Sequence, residues 1–261
     1  ILQEANRVSS IEKRIKHITE FLNQDGRKHI FTKAFQHYPD MGHDIDLLLD
    51  DVITDKLKTS LNLKDDETSF LNEIAEKKPF ILEDNTPIEF HRYIGHFGEY
   101  KELTRIFIEN SVSRNGIIVL RREDQLILQV IQRLYSHFSI RFSDILLSIK
   151  ILNSEIDLSY VRETTQKNNL YSSLVIFVNF ISRNYGEYIS NRDISLIVSS
   201  HNSVMPKRSG HIYKYSKLFV INLYIKKLFY ALIHLDLFTL KKIVYLPFIF
   251  LVSEYKNLRN R

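Results

Sequence analysis

Apolar and polar positions alternate along this chain in two periods, and the change of period marks its organisation. Val8, Ile11, Ile15, Ile18 and Leu22 recur at spacings of three and four. That spacing predicts an amphipathic helix over residues 1–22, ended by Asn23 to Gly26. His29-Ile30-Phe31-Thr32 is a short β-prone run. Residues 43–49 alternate polar and apolar and then turn wholly apolar, as in a strand that enters a core. Residues 50–63 read as a helix and 64–67 as a solvated turn. Residues 78–82 and 86–93 read as two strands joined through Glu83-Asp84-Asn85, a gap short enough for a β-hairpin.

After Gly98 the period lengthens. Residues 99–110, 122–138, 142–152, 157–165 and 170–185 all have helical spacing, and no strand pattern of comparable strength returns. The expected fold is therefore α+β: a mixed sheet with flanking helices over residues 1–112, followed by a mainly helical region over 113–261. Residues 217–252 are apolar and aromatic, but Lys226-Lys227, Asp236 and Lys241-Lys242 cut them into runs shorter than the ~18–20 residues of a membrane span. They read as buried or amphipathic helices with a kink at Pro247. Such helices are also open to partner binding or self-association.

Composition narrows the chemistry. The 261 residues are 44% hydrophobic, ample for a core, and contain no cysteine. Disulfides, thiolate metal sites and thiol nucleophiles are excluded. Glu4, Arg7, Glu12 and Lys13 interrupt any apolar run near residue 1, so no secretory leader is expected there and the cytoplasm is the expected location. The net charge of +5 is mild and its excess lies mainly after residue 205, which allows attraction to anionic partners without choosing one.

The segment richest in chemistry is Gly42-His43-Asp44-Ile45-Asp46-Leu47-Leu48. Side chains alternate faces along a strand, so Asp44 and Asp46 are expected to point the same way while Ile45 and Leu47 enter the core. Two carboxylates this close repel each other unless a cation lies between them. Hard oxygen donors suit Mg²⁺ or Mn²⁺, with substrate phosphates completing the coordination shell, as in phosphoryl and nucleotidyl transfer. In Ile88-Glu89-Phe90-His91, Glu89 and His91 share one face. Glu89 is thus a third candidate ligand, or a base for an acceptor hydroxyl. His43 and His91 are each placed to meet a phosphate, ligate a metal or carry a proton. Lys77-Lys78 reads as a charged turn, with approach to a phosphate as the alternative.

These residues carry a resemblance. Ile30-Phe31-Thr32-Lys33, Tyr38-Pro39, Gly42-His43-Asp44-Ile45-Asp46-Leu47-Leu48 and Pro87-Ile88-Glu89-Phe90-His91 together resemble bacterial members of the nucleotidyltransferase superfamily that includes DNA polymerase β. The likeness spans roughly residues 25–185. It implies a minimal nucleotidyltransferase sheet, an NTP substrate, Mg²⁺ or Mn²⁺ as cofactor, and catalytic, metal-holding roles for Asp44, Asp46 and Glu89. It also implies a nucleotide site around Lys33, Gly42, His43 and His91, with Arg133 and His137 reaching it from the helical part, where their spacing of four places them on one helix face. The family's Gly-Ser pair after the first strand is replaced by Lys33-Ala34, so the Lys33 charge would stand in for it at the triphosphate. The acceptor is open among a small molecule, a protein side chain and an RNA end. The rival expectation is a catalytically inactive nucleotide- or partner-binding protein on the same fold.

Overall fold

The computed structural model describes residues 2–32, 44–50, 53–66, 72, 76–95, 98–190, 194, 197, 205–209 and 212–244. Its first element is helix α1 (Leu2–Gln24), which buries Ile11, Ile15, Ile18 and Leu22, the stripe read from the sequence. Strands β1 (His29–Phe31) and β2 (Ile45–Leu49) follow, then helix α2 (Asp55–Ser60). This helix is shorter than the periodicity implies, because the Thr54 side chain caps it by accepting from the Leu57 amide. The solvated turn expected at residues 64–67 is in part an edge strand, β3 (Lys64–Asp65). Strands β4 (Lys77–Ile81) and β5 (Pro87–His91) form the expected hairpin, with Asn85 in the left-handed conformation at its turn.

Helix α3 (Lys101–Glu109) does not close the sheet. Strands β6 (Val112–Arg114) and β7 (Ile117–Val119) return to it across an Asn115-Gly116 turn in which both residues have positive φ. The boundary expected at residues 112–113 therefore falls inside a strand of the same sheet. The seven strands lie in the order β3-β4-β5-β2-β1-β7-β6. The sheet is mixed: β2 runs parallel to β5 and β1 parallel to β7, and the other neighbours are antiparallel.

The second half is mainly helical, as expected. Helix α4 (Arg122–Ile131) continues into a π-helical turn, Gln132–Ser136. Strand β8 (Ser139–Arg141) leads to helices α5 (Phe142–Leu152), α6 (Leu158–Lys167) and α7 (Tyr171–Tyr185). Strands β9 (Lys207–Ser209) and β10 (Ile212–Lys214) join β8 in a small antiparallel sheet that the periodicity does not announce. Helices α8 (Lys217–Ile233) and α9 (Leu237–Val244) complete the described residues. Pro247 and its expected kink lie outside them.

Two apolar clusters cover the two faces of the large sheet. On one face α1 packs on Phe31, Ile45, Leu47, Phe90, Ile88 and Val119. On the other, Ile30 and Leu48 join a larger cluster built from α3 to α8. Alternation then decides where the carboxylates go. Asp46 shares its face with Leu48, so it looks toward the helical half. Helix α8 buries Val220, Leu223 and Tyr224 but leaves Leu218, Ile221, Ile225, Phe229 and Leu232 exposed. Among the described residues, no helix is long and apolar enough to cross a membrane.

Candidate metal centre and its cleft

Parallel pairing of β2 with β5 sets Asp46 beside Glu89 and Leu48 beside His91. Antiparallel pairing of β5 with β4 then sets His91 beside Lys77. Period two carries all four polar side chains to one face. The outcome is a compact cluster. His91 Nε2 lies 2.9 Å from Asp46 Oδ1 and 3.5 Å from Glu89 Oε2, and Lys77 forms an ion pair with Glu89. One donor atom from each of Asp46, Glu89 and His91 falls within 4.8 Å of the other two.

The electrostatics follow from burial and mutual proximity. Asp46 is only 4% exposed, and Glu89 and His91 are half-buried. Burial pushes the Glu89 carboxyl up and Asp46 adds to that. Hydrogen bonds from His91 and Lys77 outweigh both, so it sits below its ordinary value. Burial pulls the His91 imidazole down, but its contacts with Asp46 and Glu89 prevail and raise it. The Glu89 carboxylate is thus held ionised by the neighbouring donors.

A cleft of about 310 Å³ opens over this cluster. Thr32, Asp44, Asp46, Lys77, Glu89 and His91 form the sheet-side wall. Ile94 and Gly95, just after β5, form one edge. Leu128, Gln132, Ser136 and His137 form the opposite wall. That wall runs from α4 into the π-turn, whose wider closure is marked by the His137 amide donating to the Gln132 carbonyl at 2.8 Å. Phe138, directly after it, has φ of +54°, a left-handed conformation unusual for a bulky side chain. A π-turn followed by a strained residue is a costly arrangement of the sort that gathers at functional sites.

The sequence-derived site residues divide as follows. Asp46, Glu89 and His91 come together as the candidate metal ligands. Asp44 lies one residue before β2 rather than within it, half-buried, and lines the same cleft without joining that three-residue group. His137 reaches the cleft from the helical half, as expected. Arg133 does not line it. Its guanidinium is buried against Asp144 Oδ1 at 3.1 Å, because a buried carboxylate needs a partner and Arg133 supplies it. Lys33, Gly42 and His43 lie outside the described residues. The sequence reading passed over Gln132 and Ser136, and its charged turn at Lys77-Lys78 is instead the start of β4. For Lys77 the signal is the hairpin register, which needs the strand start at residue 77 to become visible.

Comparison of the chain with protein-family models, with curated proteins and with solved structures gives no match.

Proposed function

We propose that the protein is a metal-dependent nucleotidyltransferase, which binds an NTP in this cleft and transfers its NMP to an acceptor with release of pyrophosphate. The observation that carries the proposal is the register pair Asp46–Glu89 with His91 beside it, facing an open cleft. The donor set suits a divalent cation: two carboxylates supply hard oxygens for Mg²⁺ or Mn²⁺, and the imidazole nitrogen favours Mn²⁺ of the two. Such an ion would neutralise triphosphate charge and polarise the α-phosphorus.

The residues divide the remaining work. Asp46, Glu89 and His91 would hold the ion, with Asp44 at the rim as a further carboxylate. Lys77 is the ammonium within the cleft for the triphosphate, the part expected of Lys33. Gln132, Ser136 and His137 offer hydrogen-bonding groups to the organic part of the substrates. An acceptor oxygen bonds to the α-phosphorus while the bond from that phosphorus to the bridging oxygen breaks, and pyrophosphate leaves with the electron pair. The acceptor proton goes to Asp44, the cleft carboxylate outside the three candidate ligands. A cysteine-free chain that uses NTP fits the cytoplasm, and the exposed apolar face of α8 fits association with a partner or a second copy.

One observation favours a second reading, a catalytically inactive nucleotide- or partner-binding protein: Lys77 already neutralises Glu89. Labelling separates the two. The parent and an Asp44→Ala/Asp46→Ala variant are incubated with each α-³²P-labelled NTP, Mg²⁺ or Mn²⁺, and an extract of the source cells. Label transferred to a metabolite, protein or RNA by the parent alone supports the enzyme and reveals its acceptor class. Nucleotide binding without transfer leaves the binding protein.

A further inference from the structure

Helix α8 sends two polar side chains inward, three residues apart, and each reaches a different wall of the cleft. Tyr224 is buried and its hydroxyl donates to the Tyr135 carbonyl at 2.5 Å. Tyr135 belongs to the π-turn, and its own hydroxyl is bonded to Ser173 of α7 at 2.7 Å. Lys227 is also buried, and its ammonium lies 2.5 Å from Glu99 Oε1. The Glu99 carboxylate packs against Gly95, which lines the cleft edge. A β-carbon at Gly95 would collide with it, and the φ of +107° there already favours glycine. The same ammonium lies 3.8 Å from the centre of the Tyr100 ring and 5.1 Å from that of Tyr135. Lys227 therefore touches both the segment after β5 and the π-turn.

A buried ion pair is a poor stabiliser, since apolar side chains of similar volume would fill the same space at no loss. What it supplies is a fixed geometry between the groups it joins. We propose that Lys227 and Tyr224 are positioning residues that set the separation of the two walls of the cleft, Lys227 tying the Gly95–Glu99 edge to the π-turn and Tyr224 anchoring the π-turn to α8. The clamp itself is independent of what the cleft binds, and its consequence for nucleotide rests on the function proposed above.

Hydrogen exchange on the full chain tests the clamp, with Tyr224→Phe and Lys227→Met compared to the parent. Tyr224→Phe removes one hydroxyl and keeps the ring, so it should fold even if the lysine variant does not. It is expected to speed exchange of the His137 amide about fivefold to tenfold while the Ile94 and Tyr100 amides keep their rates. Lys227→Met is expected to speed all three. Equal acceleration of Leu47 and Phe90 in the central strands, or no change at the cleft walls, would overturn the clamp and leave a purely structural role. A second readout follows the consequence. Both variants should bind Mn²⁺ alone as the parent does, because its ligands stand on β2 and β5, yet bind Mn²⁺·ATP about tenfold more weakly. Failure of the parent itself to bind Mn²⁺·ATP would overturn the functional reading and not the clamp, which the exchange rates decide by themselves.

Discussion

Replacing Lys77 by methionine should make the protein bind a divalent cation more tightly and the metal-free protein less stable. The reason is competition. Lys77 is bonded to Glu89, a carboxylate that a cation in the proposed site would also need. Both side chains are about three-quarters buried, at 24% and 21% exposure. A close pair at an effective dielectric of 20 has a gross Coulomb attraction of about 5 kcal/mol. Rehydration of the released ammonium returns most of that, and partly exposed pairs retain a net value of about 1–2 kcal/mol. Removing the competitor should therefore raise Mn²⁺ affinity about tenfold, which corresponds to ~1.4 kcal/mol. The same change should lower metal-free stability by about 1–2 kcal/mol, since Asp46 and Glu89 then face each other with one cation fewer. Saturating Mn²⁺ should erase the deficit, because ligand binding to the folded state adds stability by mass action. Titration calorimetry with Mn²⁺, alongside thermal melts with and without the ion, measures both. Mn²⁺·ATP affinity should move the other way if Lys77 serves the triphosphate. A Lys77→Met variant that binds Mn²⁺ no more tightly than the parent would refute the competition argument.

Three further outcomes are expected. Arg133→Met should cost about 3 kcal/mol in denaturant unfolding, because it removes the cationic partner of buried Asp144, whose other oxygen keeps the Arg141 amide, while Mn²⁺ affinity stays at the parent's value; a loss of affinity would return Arg133 to the site. Burial raises the Asp124 carboxyl from 3.8 to about 6 in spite of Tyr160 and Arg121. A folded-state value above the unfolded one favours folding most fully below pH 3.8, and that advantage, about 3 kcal/mol, is lost as pH rises through about 6; Asp124→Asn should flatten this part of the stability profile, read by denaturant melts from pH 4 to 7. Ile15→Ala, at a fully buried position under the sheet, should cost about 2–5 kcal/mol in the same melts without changing Mn²⁺ affinity, and a cost near zero would contradict the packing of α1 on the sheet.

The sequence made some of this legible and hid the rest for identifiable reasons. Helix α1, strand β2, the β4–β5 hairpin and helix α5 each have enough residues to show their period. Period two alone places Asp46 on a face with Leu48, and Glu89 on a face with His91. It does not say that β2 and β5 are neighbours, and that parallel pairing is what makes a site of them. Strands β6 and β7 have three residues each, too few to show alternation, although Asn115-Gly116 between them is a hairpin signal that can be read in advance. The π-turn leaves apolar spacing nearly unchanged, so Gln132 and Ser136 look like ordinary helix positions until the i→i+5 bond is seen. Arg133 and Lys77 are mirror cases. Both are cations near the site in sequence terms, and only tertiary packing shows that one is held by Asp144 while the other enters the cleft. The Lys227–Glu99 pair joins residues 128 apart and has no local signature.

The central claim is that Asp46, Glu89 and His91 together form a divalent-cation site that serves a nucleotide. Calorimetric titration of Mn²⁺ into the parent, Asp46→Asn and His91→Ala, each with and without a non-hydrolysable ATP analogue, tests it most directly. The account predicts saturable binding by the parent that the nucleotide strengthens. It predicts that the loss of either ligand weakens this binding by about 100-fold or more, ~2.7 kcal/mol. Variants that bind Mn²⁺ and the nucleotide as the parent does would contradict it.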